Sequence, residues 1–273
     1  MKVLLIGHSG FIGQSLLKIL IKKKINLFVT KYNNLKIPKS TKIKIIDLKN
    51  KKNLNVLNNF DLIIHAAWNG LDNYNSKKHT NSILSENYKF LKKLINLGGK
   101  NIVVLGSCFE IGNCSGEVDE NIEMRPNTHY GKAKKKLFSN LIKLKNKQLF
   151  NLTWIRIFYL YGNTQRKESL FSQIRISENK KKFFFDLTNG MQERDYMHVN
   201  TLAKKIIQLS FLKKNIGIIN VCSGNPISVK NLVLRWKKRF KWQIKFNFGI
   251  KSLRKYEPKS FWGSVKKLRK VLK

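Results

Sequence analysis

The start of the chain limits what it can fold into more than any other segment does. Residues 2–6 form a short apolar run, and Gly7, Gly10 and Gly13 follow with the spacing GxxGxxG, where a helical apolar pattern opens. Strand, glycine turn and helix in this order are what a dinucleotide-binding site requires. The first glycine permits the tight turn, the second lets the backbone approach a pyrophosphate, and the third lets the helix pack on the strand. The alternative is a glycine-rich turn that binds no ligand. The position of the glycine motif directly after an apolar strand favours the nucleotide site.

The rest of the chain alternates between strand-like apolar runs and helical periodicity. After the first strand, the apolar runs predict strands over residues 25–30, 43–46, 62–64, 102–105 and 153–158. The periodic segments predict helices over residues 11–24, 84–95 and 130–144. This alternation predicts an α/β fold with a Rossmann-like, doubly wound parallel sheet that helices cover on both faces. The rhythm loosens near residue 163, so we expect a dinucleotide-binding domain over 1–162 and a smaller, interleaved substrate-binding domain over 163–273.

The composition narrows the class of partner. A formal net charge of +40 usually indicates a polyanionic partner. The lysines are spread over every predicted helix instead of one patch, so we favour compositional drift over nucleic-acid binding. No apolar run is long enough to span a bilayer, and we expect no membrane partner. The cysteines, Cys108, Cys114 and Cys222, are odd in number and lack metal-ligand spacing, which favours free thiols in the cytoplasm and no metal site.

Three side chains form the candidate catalytic group. Tyr130 and Lys134 stand four residues apart on a predicted helix, so their side chains lie on one face. Ser107 follows a predicted strand, where open α/β sheets place their ligand crevice. A phenol, an ammonium and a hydroxyl can together exchange a proton with an alcohol. Bringing a phenol pKa from about 10 to about 7 takes roughly 4 kcal/mol, which a neighbouring lysine and a cationic nicotinamide can supply.

The combination of motifs resembles the extended short-chain dehydrogenases/reductases, specifically the NAD-dependent nucleotide-sugar epimerase/dehydratase family. The resemblance runs from residue 2 to about residue 200 and continues in the segment after Asn220. The matching motifs, in chain order, are GxxGFIG at 7–13, His65-Ala66-Ala67, Asn87, Ser107, Tyr130 with Lys134, Arg156 followed by Tyr161-Gly162, Arg194-Asp195-Tyr196, and Asn220 to Gly224. Each motif is modest alone, but their order and spacing make chance a poor explanation.

The resemblance implies a role for each matching residue. It makes Ser107, Tyr130 and Lys134 catalytic, with Ser107 orienting the substrate and Lys134 also binding the nicotinamide ribose. It implies that Arg194 approaches the diphosphate of a sugar nucleotide, and that two helices of the first domain can form a homodimer. The expected cofactor-binding residues are Gly7, Gly10, Phe11, Ile12, Gly13, Lys31, Asp47, Leu48, His65, Ala66, Ala67, Tyr130 and Lys134, with the adenine near Asp47 and Leu48.

The chain departs from the family pattern at three places. Family dehydratases carry an Asp-Glu pair directly after the catalytic hydroxyl residue, whereas this chain has Cys108-Phe109, which disfavours dehydration. Glu110 follows Phe109, and it either reaches the site or has a structural role. Tyr159 replaces the usual Asn, which puts the substrate-diphosphate contacts in doubt. Lys31 stands where an acid would hold an NAD ribose hydroxyl, so the cofactor is NAD or NADP.

These observations leave a ranked set of functions. The expected activity is an NAD(P)-dependent 4-ketoreductase that acts at C4 of a nucleotide-diphosphate sugar in deoxy-sugar nucleotide synthesis, because Lys31 suits a reducing NADPH supply. The alternative is a nucleotide-sugar 4-epimerase. A non-catalytic nucleotide-binding regulatory protein or a nucleic-acid-binding protein is a further alternative from another class, against which the Ser107, Tyr130 and Lys134 set argues.

Overall fold

The computed structural model describes residues 1–31, 43–47, 56–252 and 259–273. The strands are β1 Lys2–Ile6, β2 Asn26–Lys31, β3 Ile43–Asp47, β4 Leu62–His65, β5 Asn101–Leu105, β6 Gly116–Val118, β7 Asn151–Ile157, β8 Tyr159–Tyr161, β9 Phe184–Asp186, β10 Glu193–Arg194, β11 Tyr196–His198, β12 Gly217–Val221, β13 Ile227–Ser228, β14 Lys245–Asn247 and β15 Ser260–Gly263. The helices are α1 Phe11–Leu20, α2 Ser82–Asn96, α3 His129–Lys145, α4 Leu170–Asn179, α5 Val199–Phe211, α6 Val229–Phe240 and α7 Lys266–Leu272.

The largest sheet has seven parallel strands in the order β12-β7-β5-β4-β1-β2-β3. The chain begins at β1, runs outward to β3, and then crosses back to β4 on the other side of β1. This reversal opens a crevice at the carboxyl ends of β1 and β4, where doubly wound folds bind their ligands. The predicted Rossmann-like fold is confirmed.

Helices cover both faces of this sheet because its strands carry apolar side chains on both sides. One cluster buries Leu16, Leu20 and Ile206 of α1 and α5 against one face of the sheet, and the second buries Leu91 and Leu137 of α2 and α3 against the other. A strand covered on both faces needs an unbroken apolar sequence instead of an alternating one. The runs that predicted the strands have this character.

The chain after residue 163 adds a strand and a helix to the central sheet and also forms a separate group of small elements. Strand β12 completes the parallel sheet beside β7, and α5 packs on α1. The remaining segments form small sheets and an aromatic cluster in which Phe171, Trp236 and Trp242 are buried. The division into domains at residues 162 and 163 stays a prediction.

Candidate active site

The glycine turn between β1 and α1 has the shape that a dinucleotide needs. Gly7 has φ +84°, and a Cβ there would lie 2.6 Å from the amide nitrogen of Ala67. A Cβ on Gly13 would collide with the Gly7 carbonyl, so this glycine lets the helix approach the strand. A Cβ on Gly10 would meet only the Gly7 carbonyl oxygen, at 3.4 Å, and otherwise points into open space. The open side at Gly10 is where a pyrophosphate can approach the helix N-terminus, so these residues fit NAD.

The loop after β4 closes the other side of this turn. The Ala66 amide donates to the Ile6 carbonyl at 2.9 Å, which holds the two loops together. His65 is 1% exposed, and burial lowers its pKa to about 3, so the imidazole is neutral. Phe11 and Ile12 lie in the first turn of α1, and the Phe11 ring is near Gly162. The segment from His65 to Ala67 therefore lies against the glycine turn, and its contact with a cofactor stays a prediction.

The outer end of the crevice carries an ion pair. Nζ of Lys31, at the end of β2, lies 3.2 Å from Oδ2 of Asp47, at the end of β3. The two side chains are 47% and 32% exposed, so water screens the pair. The neighbouring strand thus places a carboxylate beside the end of β2, and a contact of Asp47 with the cofactor stays a prediction. Leu48, the other predicted adenine contact, lies outside the described residues.

The structure brings the three predicted catalytic side chains together. Ser107 directly follows β5, and Tyr130 and Lys134 share one face of α3. Burial raises the pKa of Tyr130, and the nearby Ser107 side chain opposes that rise only in part. The phenol therefore holds its proton at neutral pH when no ligand is bound.

Lys134 lies deeper than the other two residues. Its Nζ donates to the Leu105 carbonyl at 2.7 Å and lies 4.0 Å from the centre of the Trp68 ring. The side chain is 3% exposed, and burial lowers its pKa to about 7 while the negative charge of Glu110 opposes that change. Burial thus weakens the hold of Lys134 on its proton, and the Glu110 carboxylate strengthens it.

Of the two roles considered for Glu110, an acid of the active site or a structural residue, the structure supports the structural one. It is fully buried in the short 3₁₀ turn Cys108–Glu110, and its Oε1 accepts from the Ser107 amide at 2.7 Å. The Nε1–H of Trp154 donates to Oε1 and Oε2 at 3.1 and 2.9 Å. Nε of the buried Arg156 lies 3.6 Å from Oε2. The carboxylate faces the protein interior instead of the crevice, so it supplies no acid to a substrate.

An aromatic wall beside Tyr130 was not predicted from the sequence. The Tyr74 ring stacks on the Tyr130 ring at 5.1 Å and 23°, and the Trp68 and His79 rings meet Tyr130 edge-on at 5.9 and 5.4 Å. The Trp68 indole N–H donates to Nδ1 of the fully buried His79 at 3.1 Å. The place of Trp68 directly after His65-Ala66-Ala67, at the carboxyl end of a central strand, was the signal for a site residue.

Arg194 lies farther from the trio. It is 2% exposed, and its Nη1 donates to the carbonyls of Glu193 and Lys259 at 2.7 and 3.4 Å. Its guanidinium lies 5.6 Å from the centre of the Tyr159 ring. Arg194, which matches the family pattern for the diphosphate, is therefore a neighbour of Tyr159, which departs from it. Its substrate contact stays a prediction.

Two other features bear on the class of protein. Within the described ranges, no three His, Cys, Asp or Glu residues gather as a metal site. No helix in the described part of the chain is long and apolar enough to cross a membrane.

A doubly wound sheet with a glycine turn at its first strand and a Ser, Tyr, Lys trio at its crevice defines a dinucleotide-dependent oxidoreductase. The model of the NAD dependent epimerase/dehydratase family matches residues 3–222. The chain therefore belongs to this family, and it is an NAD-dependent enzyme.

Individual relatives agree with the family. The chain is 27% identical over 272 residues to the dTDP-6-deoxy-L-talose 4-dehydrogenase (NAD(+)) of Aggregatibacter actinomycetemcomitans, a match that covers 97% of this chain and 100% of the relative. The UDP-glucuronic acid 4-epimerase of Bacillus cereus, solved with UDP-glucuronic acid and NAD, has a TM-score of 0.82 and 21% identity, with 100% of this chain and 93% of the other covered. The UDP-N-acetylglucosamine 4-epimerase of Methanobrevibacter ruminantium has a TM-score of 0.84 and 22% identity, with 99% and 91% covered. The solved structures support the fold.

Proposed function

We propose that this enzyme reduces the 4-keto group of a nucleotide-diphosphate sugar and so completes a deoxy-sugar nucleotide. The observation that carries the proposal is the Ser107, Tyr130 and Lys134 trio at a crevice into which Glu110 does not point. A proton donor beside a hydroxyl suits a carbonyl that becomes an alcohol. The full-length match to a dTDP-6-deoxy-L-talose 4-dehydrogenase supports the same carbon atom and the same kind of substrate.

The residues act on the carbonyl oxygen in this proposal. Reduced NAD, when bound at the glycine turn, supplies the hydride that C4 of the sugar receives. Ser107 holds the ketone oxygen by a hydrogen bond, and Tyr130 gives it the phenolic proton, so the ketone becomes an alcohol. The Lys134 ammonium stabilises the phenolate that remains until water returns the proton. Burial keeps Tyr130 protonated in the ligand-free site, and the Lys134 charge must offset that burial when the phenol gives up its proton.

The setting of the reaction follows from the same proposal. We expect Arg194 to face the substrate diphosphate and NAD to bind as the cofactor, in agreement with the family. The free cysteines, among them the buried Cys108 and Cys222, suit the reducing cytoplasm. A homodimer stays a prediction, which light scattering of the purified enzyme tests.

A stoichiometry assay tests the function. The enzyme is mixed with NADH and, in turn, the dTDP-, UDP- and GDP-linked 4-keto-6-deoxyhexoses, and loss of NADH is compared with product formed. We expect one NADH oxidised for each alcohol produced, and Tyr130→Phe serves as the inactive control. Interconversion of two 4-hydroxy sugar nucleotides with no net change in added cofactor would replace the proposal with a 4-epimerase.

A further inference from the structure

A network of buried charge lies beneath the catalytic trio, and Glu110 is its centre. Glu110, Arg156 and Trp154 are each 0% exposed, and Lys134 is 3% exposed. The only other buried carboxylate in the described ranges, Asp195, accepts instead from the amides of Ser223 and Gly224 at 2.7 Å. A buried charge is costly unless other groups compensate it, so its place beside the trio needs an explanation.

The carboxylate and the Lys134 ammonium hold the same three-residue segment. Lys134 Nζ donates to the Leu105 carbonyl at 2.7 Å, and Glu110 Oε1 accepts from the Ser107 amide at 2.7 Å. Between them, a Cβ on Gly106 would lie 2.7 Å from Glu110 Oε1 and would collide with the Trp154 indole nitrogen. Glycine at 106 therefore leaves room for the carboxylate. Opposite charges bind both ends of the backbone that presents the Ser107 hydroxyl.

We propose that Glu110 is a positioning residue of the active site, whose carboxylate fixes the Ser107 backbone and supplies the negative charge that keeps Lys134 an ammonium. The inference deepens the proposed function and rests on it for the role of Lys134. The Ser107 amide and the Trp154 indole donate to the carboxylate, and the Arg156 guanidinium forms an ion pair with it at 3.6 Å. Burial raises the pKa of Glu110, but this donor set supports the ionised form.

The charges around Lys134 agree with this role. The titratable groups that face the Glu110–Lys134 pair are Arg156 on β7, His65 on β4, and Cys108 and Tyr130 on either side of the trio. His65 is neutral at working pH because its pKa is about 3, and burial raises the pKa of Cys108 to about 12, so its thiol is neutral as well. Glu110 is therefore the negative charge that opposes the loss of the Lys134 proton.

Titration of Lys134 in the cofactor-free enzyme tests the inference. Carbon-13 NMR of the lysine Cε atoms follows the charge, and the Lys134 signal is assigned by its loss in Lys134→Met. We expect the native signal to titrate near pH 7 and Glu110→Gln to lower that pKa by about one unit or more. Trp154→Phe is the matched control, because it removes one donor to Glu110 and keeps the carboxylate, so Lys134 should titrate close to the native value. An unchanged Lys134 pKa in folded Glu110→Gln overturns the inference.

Activity gives a second readout. Because Lys134 acts as an ammonium, its lower pKa should move the alkaline limb of the kcat profile of Glu110→Gln to lower pH by the same amount. A merely structural residue would lower kcat equally at every pH, and that result contradicts the inference. Should Glu110→Gln fail to fold, the double variant Glu110→Gln/Arg156→Met also removes the buried guanidinium that would lose its partner, and Lys134 should show the same lowered pKa. If no sugar nucleotide is turned over, the proposed function fails, while the NMR titration still decides the role of Glu110.

Discussion

Replacing Arg166 by Met should weaken catalysis by releasing Tyr74 from the catalytic tyrosine. Nη2 of Arg166 donates to the Tyr74 hydroxyl at 3.1 Å, and the guanidinium carbon lies 5.2 Å from the centre of the same ring. Tyr74 in turn stacks on Tyr130 at 5.1 Å. Arg166 lies 92 residues after Tyr74, so one contact ties the segment after β8 to the loop after β4 at the reacting side chain.

The size of the effect follows from the kind of contact. A hydrogen bond to a charged group contributes about 1.5–3 kcal/mol where it is buried. Arg166 and Tyr74 are both half-buried, so we take about 1 kcal/mol for their coupling. One kcal/mol corresponds to roughly a fivefold change in kcat/KM.

A double-mutant cycle measures this coupling through NADH oxidation. Arg166→Met and Tyr74→Phe remove the two ends of the hydrogen bond, and Tyr74→Phe keeps the ring that stacks on Tyr130. We expect each single variant to lower kcat/KM several-fold and the double variant to be little worse than either. Lys167→Gln, an exposed neighbour, controls for the loss of positive charge. If the losses of the single variants multiply in the double variant, the contact does not position Tyr74 and the reasoning is refuted.

Three further perturbations have defined outcomes. Tyr130→Phe should lower kcat by about 10²–10⁴-fold in the NADH assay, because the proton donor is lost, while calorimetry finds unchanged NADH binding; near-native turnover would remove Tyr130 from the reaction. Gly10→Val should abolish NADH binding by calorimetry without lowering Tm, because its Cβ points to the open side of the turn; retained binding would place the pyrophosphate elsewhere. The pKa of His65 is about 3 in the folded chain against 6.5 for the free side chain, so stability is present above pH 6.5 and should fall by at most about 1.4 kcal/mol per unit as pH drops through that window. Urea unfolding of native enzyme and His65→Gln at pH 7 and pH 5 checks this, and equal losses in both would contradict it.

Much of the framework could be predicted because it depends on local sequence. The runs that are apolar on both faces marked the central strands, and the spacing of Gly7, Gly10 and Gly13 specified a turn whose geometry requires glycine at the first and third positions. Tyr130 and Lys134 lie on one helix, so their common face follows from helical geometry alone. The approach of Ser107 to this helix was inferred from the rule that strands of a parallel sheet end at one edge.

The missed contacts depend on which loops the fold brings together. Asp47 reaches Lys31 because β2 and β3 are neighbours in the sheet, and no pattern within β2 predicts the side chain at the end of β3. Tyr74 meets Arg166 through the relative placement of two loops, for which one sequence has no periodic signal. Side-chain contacts across loops are set by tertiary packing, so they required the structure.

In the turn after β5, the acidic residue stands later in the sequence than the acid pair of family dehydratases, and this difference limits the chemistry of the site. A 3₁₀ helix has three residues per turn, so the residue three after Ser107 returns toward it, and Glu110 closes a capping box instead of facing the crevice. The residue that does face the tyrosines is Phe109, whose ring lies 4.7 Å from Tyr74 and 6.1 Å from Tyr130. Cys108 is buried, with a thiol that stays protonated. The positions where family dehydratases carry their acid pair therefore hold an apolar ring and a neutral thiol, and the one acid of the turn serves the catalytic residues from beneath. Elimination of a sugar hydroxyl needs a proton donor at the leaving oxygen, which this turn does not supply, and its absence favours the proposed exchange of a proton at one carbonyl oxygen through Tyr130.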